Sequence, residues 1–416
     1  MSASLPSKSI SISLSLSGSG SGSLSEPQPG FRVREVRTIS THRSYHGWPT
    51  VARLETGELL VVVSAGRERH ICPFGQVHLL RSSDNGQNWT GPEILANGPL
   101  DDRDAGILQT RRGTLLVNWF TSIAWLESLN WAERSDHEAL RNHAEDGYFA
   151  RCRKIRALLT DDVIKRELGV WMVRSTDGGR HWEEKYWVAA GTGTPHGPIE
   201  RADGNLLFIG NWRDCPVATR AAQPITTLGA RLSRDEGRTW ELIGTVPERP
   251  GDVPGAYHEP HAVQLRDGRI LVHIRNHNEQ DGGHILQCES TDGGRTFSVP
   301  RDTGLVGLPA HLLLLRDGRL LTTYGYRHPP FGNRAAVSAD GGRTCSAPMV
   351  LDEKPVARDL GYPSTVELAD GSLVSVWYEQ LPGETLASVQ AAHWALGVKR
   401  SALSVIPSSC SSCSSW

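Results

Sequence analysis

The chain has 416 residues and a formal net charge of -2, from 44 Lys+Arg and 46 Asp+Glu, so it lacks the basic field that nonspecific nucleic-acid binding requires. No run approaches the roughly 18 apolar residues of a membrane span. Abundant glycine (43), proline (24) and tryptophan (13) beside 3 methionines suit many short strands joined by tight turns, and such all-β rings exceed the usual domain length as one unit.

Residues 1–31 alternate Ser with Ile, Leu and Gly and carry one Lys8. They lack the uninterrupted apolar core of a secretory signal, which predicts a disordered tail on a soluble protein, with the cytoplasm favoured. The seven cysteines are scattered from Cys72 to Cys413. They form neither a zinc pattern nor a disulfide framework and are read as isolated thiols, with no metal and no cofactor.

From His46 onward the chain repeats itself. HGWPTVARLETGELLVVV reads as a strand start bearing Pro or Gly, a strand, a Gly turn and a second strand; SSDNGQNW, Ser82 to Trp89, closes the unit. The same pair recurs as DDRDAGILQTRRGTLLVNW from Asp101 with STDGGRHW, and as PHGPIERADGNLLFIG from Pro195 with SRDEGRTW. HEPHAVQLRDGRILVHIR from His258 precedes STDGGRTF, and GLPAHLLLLRDGRLLTTY from Gly307 precedes SADGGRTC. GYPSTVELADGSLVSVWY from Gly361 is the last hairpin. In Ser-x-Asp-x-Gly-x-x-Trp the Asp can accept bonds from its own turn, the Gly allows a positive φ and the aromatic packs between units. Each unit is therefore a hairpin, a third strand, an Asp-box turn and a fourth strand, which predicts an all-β, six-bladed β-propeller over 32–396.

The second unit is interrupted. Residues from about 122 to 168 show helical spacing of their apolar side chains, predicting a helical insertion in blade 2, a flap over exposed edges or a specificity lid. Residues 397–416 read as a second disordered tail, rich in Ser and Cys.

In an antiparallel meander the strand starts and the loops after second strands share one face, and the Asp-box turns lie on the other. The first face gathers His46, Asp102, Arg103, Asp104, His196, His258, Glu259, His261, His311 and Tyr362, with Arg67, Arg213, Arg275 and Arg327 from the loops. Such a polar rim is the place to look for function.

These repeats resemble the sialidase (neuraminidase) superfamily over roughly residues 40 to 395. The resemblance implies an exo-acting, retaining glycoside hydrolase with a carbohydrate substrate, a Tyr nucleophile activated by Glu, an Asp acid/base and three arginines holding the sugar carboxylate. HEP and HIRN resemble the family's Glu-Pro strand and second arginine, implying Glu259 and Arg275. GYPST resembles its late Tyr-Ser strand, implying Tyr362. WYEQ places Glu379 where the family has its arginine-orienting glutamate, and Arg327 is preferred to Arg334 as third arginine. The family's Arg-Ile-Pro reads Gly47-Trp48-Pro49 here, leaving His46 or Arg67 to substitute. The loop expected to hold the acid/base reads ERHICPFGQVH and has no Asp, leaving Glu68, Asp102 or Asp104. The alternatives are a polysaccharide lyase using His/Tyr chemistry on uronic-acid glycans and a noncatalytic glycan-binding propeller. Oligomeric state is left open.

Overall fold

A computed structural model describes residues 30–40, 43–134, 147–213, 228–253 and 255–397, with the side chain of Arg213 excepted. Nearly all of both expected tails, 1–29 and 398–416, lies outside the described residues.

Strands β2 (Tyr45–Arg53), β3 (Leu59–Arg67), β4 (Gln76–Ser82) and β5 (Thr90–Ala96) make a four-stranded antiparallel sheet in chain order. Next come β6 (Asp101–Gln109), β7 (Leu115–Ser122), β8 (Val170–Ser175) and β9 (Tyr186–Gly193), continuing through β11 (Leu206–Arg213), β12 (Leu228–Ser233) and β13 (Glu241–Thr245) as one eight-stranded sheet that includes the two-residue β10 (Ile199–Glu200). The hairpin strand expected from Pro195 is thus reduced to β10. Pro198 has no N–H to give a ladder, and β9 pairs with the end of β11 instead.

Two further four-stranded sheets are β14 (Tyr257–Gln264), β15 (Ile270–Asn276), β16 (His284–Ser290) and β17 (Arg301–Val306), then β18 (Ala310–Leu314), β19 (Leu320–Tyr326), β20 (Gly332–Ser338) and β21 (Met349–Asp352). The last sheet joins the chain ends: β22 (Gly361–Glu367), β23 (Leu373–Glu379) and β24 (Ser388–Ala395) are completed by β1 (Arg32–Thr38), paired with β24. Because β2 packs on both β6 and β22, β11 on β14, β14 on β18, and β18 on β22, the sheets follow one another in a closed circuit.

The circuit explains the unbroken apolar run Leu59–Val63 of β3. In β3, Leu60 and Val62 pack with Leu115 and Val117, while Leu59, Val61 and Val63 pack with Val374 and Val376. A strand with sheets on both faces has no face left to be polar.

The five Asp-box turns share one set of bonds. In the first, Ser82 Oγ donates to Asp84 Oδ1 (2.8 Å), the Gly86 and Asn88 amides donate to Ser82 Oγ and Asp84 Oδ1 (2.8 and 2.9 Å), and Gly86 takes φ +87°. Asp177, Asp235, Asp292 and Asp340 accept the corresponding amide at 2.9 to 3.0 Å.

Among the described residues, the segment between β7 and β8 carries the helices α1 (Trp125–Arg134), α2 (Tyr148–Leu158) and α3 (Asp161–Glu167). Trp125 and Leu129 of α1 and Tyr148 and Cys152 of α2 enclose Cys72, in the loop after β3. No helix among the described residues is long and apolar enough to cross a membrane.

Candidate active site

Six non-glycine residues have positive φ among the described residues; Asn85 and Glu236 belong to Asp-box turns, and the other four are Trp48, Asp104, Glu259 and Tyr362 at +55°, +51°, +42° and +54°. Each of the four sits at the same point of its sheet, a bulge in the first strand where the register skips two residues: between Gly47 and Thr50, Arg103 and Gly106, His258 and His261, and Gly361 and Ser364. Proline follows in three of them (Pro49, Pro260, Pro363) and cannot bond into the ladder, so pairing breaks there and the side chain is re-aimed. A left-handed non-glycine residue costs on the order of 1–3 kcal/mol and persists where the surroundings enforce it.

Asp104, Glu259 and Tyr362 line one cavity of about 280 Å³ with Arg103, His258, Arg275 and Arg327, and with His70, Phe120, Thr192, Gly193, Pro195 and Asn211. Tyr362 Oη donates to Glu259 Oε1 at 2.6 Å, and Arg275 Nη1 donates to Glu259 Oε2 at 2.6 Å and to Tyr362 Oη at 2.9 Å. Burial tends to raise Glu259, but the Arg275 charge and the tyrosine hydroxyl overcome it and hold the carboxyl below its usual range. Burial, then the Glu259 charge, pushes the Tyr362 phenol well up. The pair is therefore a phenol beside a carboxylate, with the base already in hydrogen-bond contact with the proton it would take.

Asp104 is nearly inaccessible, and its Oδ1 accepts no hydrogen bond among the described residues. Burial pushes its carboxyl up to about 7, opposed by Arg103 and reinforced by Glu259. Arg327 gives Nε and Nη2 to the Leu360 carbonyl at 3.0 and 2.8 Å and lies 5.7 Å from the Tyr362 ring centre. Arg103 lies over Trp48 at 4.4 Å. Arg334 instead pairs with Glu353 and stacks on Tyr326.

Several residues expected at the rim are elsewhere, and these are corrections. Arg67 is fully buried, bound through both Nη atoms to Asp101 and through Nη2 to the His70 carbonyl; its charge is already neutralised. Asp102 accepts from the Gly98 amide at 2.6 Å and the Trp119 indole at 2.8 Å. It precedes the bulge, so it points away from the cavity and ties a loop to the core. Among the described residues Glu379 is bonded to no arginine; it accepts from Trp377 Nε1 at 2.6 Å and Asn333 Nδ2 at 3.4 Å, and burial raises its pKa. His46 lines a different cavity, with Thr38 and Trp89, and contacts the Ser44 carbonyl.

His196, His261 and His311 pack on one another in the interior, ring centres 4.5 to 5.2 Å apart. Burial lowers all three pKa values, His311 to about 3, so they are neutral core rings. His261 lies just beyond the Glu259 bulge, His311 lies in the regular strand β18, and His196 precedes β10. Of the histidines named from the sequence, His258 alone lines the central cavity, stacked edge-on with His277 at 4.8 Å.

Sequence reasoning missed His70 and Asp359. His70 Nδ1 lies 2.9 Å from Asp359 Oδ1 and 3.0 Å from Tyr45 Oη, and Asp359 also accepts from Tyr45 Oη (2.9 Å) and Tyr378 Oη (2.8 Å). Despite burial, these donors hold Asp359 down at about 2. Neither residue stands in a repeated motif; the one available signal was that His70 occupies the loop lacking the expected aspartate.

A family model described as BNR repeat-like domain matches residues 160–375. A sialidase of Micromonospora viridifaciens is 26% identical over 248 residues, 52% of this chain and 35% of that protein, so the match spans about a third of the relative's length. Among solved structures, a protein of unknown function from Dyadobacter fermentans superposes with a TM-score of 0.69 at 22% identity, over 89% of this chain and 100% of that one. The NanB sialidase of Streptococcus pneumoniae gives 0.61 at 14% identity, over 88% of this chain and 70% of that one. These likenesses show a β-propeller-like fold. With the family model covering just over half of its residues, the chain belongs to the BNR repeat-like family of the sialidase superfamily.

Proposed function

We propose that the protein is an exo-acting, retaining glycoside hydrolase that removes terminal acidic sugars from glycans, built as a six-bladed propeller in which the eight-stranded sheet is two blades joined through β9. The observation that carries this reading is the 2.6 Å bond from Tyr362 to Glu259 within the central cavity. As the phenolic oxygen attacks the anomeric carbon, its proton passes to Glu259, so no full phenolate forms in a buried site. Arg275 donates to both partners and stabilises the charge as it moves from carboxylate to phenol oxygen. A tyrosine suits a carbon bearing a carboxylate, because a neutral nucleophile is not repelled.

Arg275 and Arg327, with Arg103 at the side, are the cations for a sugar carboxylate. Gly47 stands where the family has its first arginine, and Arg67 is consumed by Asp101, so the carboxylate is held by fewer charges than in the family pattern. Asp104, half protonated near neutrality, offers a hydrogen bond to a sugar hydroxyl within the cavity. The lyase alternative rests on a ring of histidines, and three of these are buried and neutral.

The test is incubation with a 4-methylumbelliferyl sialoside, reading fluorescence and the anomer released. Release of the retained anomer, lost in Tyr362→Phe, supports the reading. An unsaturated uronate product from uronic-acid glycans, or glycan binding with no turnover, would replace it.

A further inference from the structure

We propose that His70, oriented by Asp359, is the acid and base that protonates the departing glycan and then activates water, in place of the aspartate missing from its loop. This rests on the hydrolase reading above and adds the proton donor that reading lacks.

The donor must reach the glycosidic oxygen, which in an exo-acting enzyme faces solvent. Asp104 lines the cavity but is only 5% exposed, so it is poorly placed to reach a solvent-facing oxygen. Glu68, on the same loop as His70, is committed to Arg151, whose Nε donates to it at 2.8 Å. The His70 side chain is 42% exposed and lines the cavity. Its ring centre is 4.9 Å from Trp48, which is 6.3 Å from the Tyr362 ring, so the imidazole and the nucleophile flank one side chain of the same site. Nδ1 is engaged by Asp359 and Tyr45. Proton transfer to a ligand therefore falls to Nε2, with the carboxylate fixing the tautomer and stabilising the imidazolium.

The loop carrying His70 is held in place by the helical insertion. Arg151 of α2 grips Glu68, Tyr148 Oη donates to the Ile71 carbonyl at 2.9 Å, Arg69 lies 3.7 Å over the Tyr148 ring, and Cys72 is buried against α2. A donor on a loop works only if that loop is preorganised, and this clamp does that.

The protons balance. In the first step Tyr362 Oη bonds to the anomeric carbon and gives its proton to Glu259, the glycosidic C–O bond breaks, and the leaving oxygen takes the proton from His70 Nε2. In the second, water gives a proton to neutral His70 as its oxygen bonds to the anomeric carbon, and the departing Tyr362 recovers its proton from Glu259.

An acid catalyst matters in proportion to how poor the leaving group is. His70→Gln should lose about 10²-fold or more in turnover of sialyllactose, whose sugar alkoxide needs the proton, and less than about tenfold on 4-methylumbelliferyl sialoside, whose phenol does not. Asp359→Asn, removing the positioning carboxylate, should show the same split at smaller size. Equal losses on both substrates, or none on either, overturn the assignment, as does the split appearing in Asp104→Asn instead. If the wild-type protein cleaves neither substrate, the hydrolase reading fails first and takes this inference with it. An unchanged melting temperature in His70→Gln separates lost chemistry from lost fold.

Discussion

Tyr362 and Glu259 stand 103 positions apart in the chain, yet the tyrosine hydroxyl meets the glutamate carboxylate at 2.6 Å, with Arg275 bridging both. They start different sheets, and what brings them together is that each occupies the same bulge of its own repeat.

If the pair acts as one unit, Tyr362→Phe and Glu259→Gln each cost on the order of 10²-fold or more in turnover, and the double variant costs little beyond the worse single, since residues acting together are non-additive. Steady-state kinetics on the 4-methylumbelliferyl sialoside check this. Near-wild-type turnover in the phenylalanine variant would leave Tyr362 a packing residue.

Asp101→Ala removes the carboxylate that, among the described residues, pairs with the fully buried Arg67 side chain. An uncompensated buried charge costs roughly 3–5 kcal/mol, so the urea midpoint should fall steeply. A change under about 1 kcal/mol would mean that Arg67 finds other partners.

Asp104 holds its proton more tightly folded, at about 7, than at its ordinary 3.8. A buried acid of this kind favours the folded state fully below about pH 4, and that advantage is lost as pH rises through about 7. Asp104→Asn should therefore flatten part of the decline in stability between those limits, by an amount on the order of a few kcal/mol. Asp102, raised likewise to about 7 by burial, keeps the remaining slope. Urea midpoints of both proteins across that range measure it; parallel curves would refute the assignment.

Asp235→Ala strips acceptors from the Thr239 amide and hydroxyl and from Ser233 Oγ. The turn lies at the end of its sheet opposite the cavity, so stability should fall by about 1–2 kcal/mol while kcat and KM stay put. Lost turnover at unchanged stability would contradict that placement.

The sequence by itself determined the repeat and its turns. Each Asp-box closes on groups at most four positions away, such as Asp84 on the Asn88 amide, so its residues carry all the information the turn needs. The bulges were half legible: Gly-Trp-Pro, His-Glu-Pro and Gly-Tyr-Pro mark three of them, and the family resemblance supplied the partnership of Glu259 with Tyr362. Which of the rim candidates line the cavity was decided by tertiary structure. His196, His258, His261 and His311 look alike as residues at strand starts, but His258, before the bulge, lines the cavity while His261, beyond it, packs against His311 in the interior. Arg67 reads as a free rim cation until the next sheet sets Asp101 against it. His70 and Asp359 are 289 positions apart, and no local pattern links them. Their contact exists because the circuit closes, with β1 on β24 and β2 on β22, which carries the loop after the first blade against the segment leading into the last.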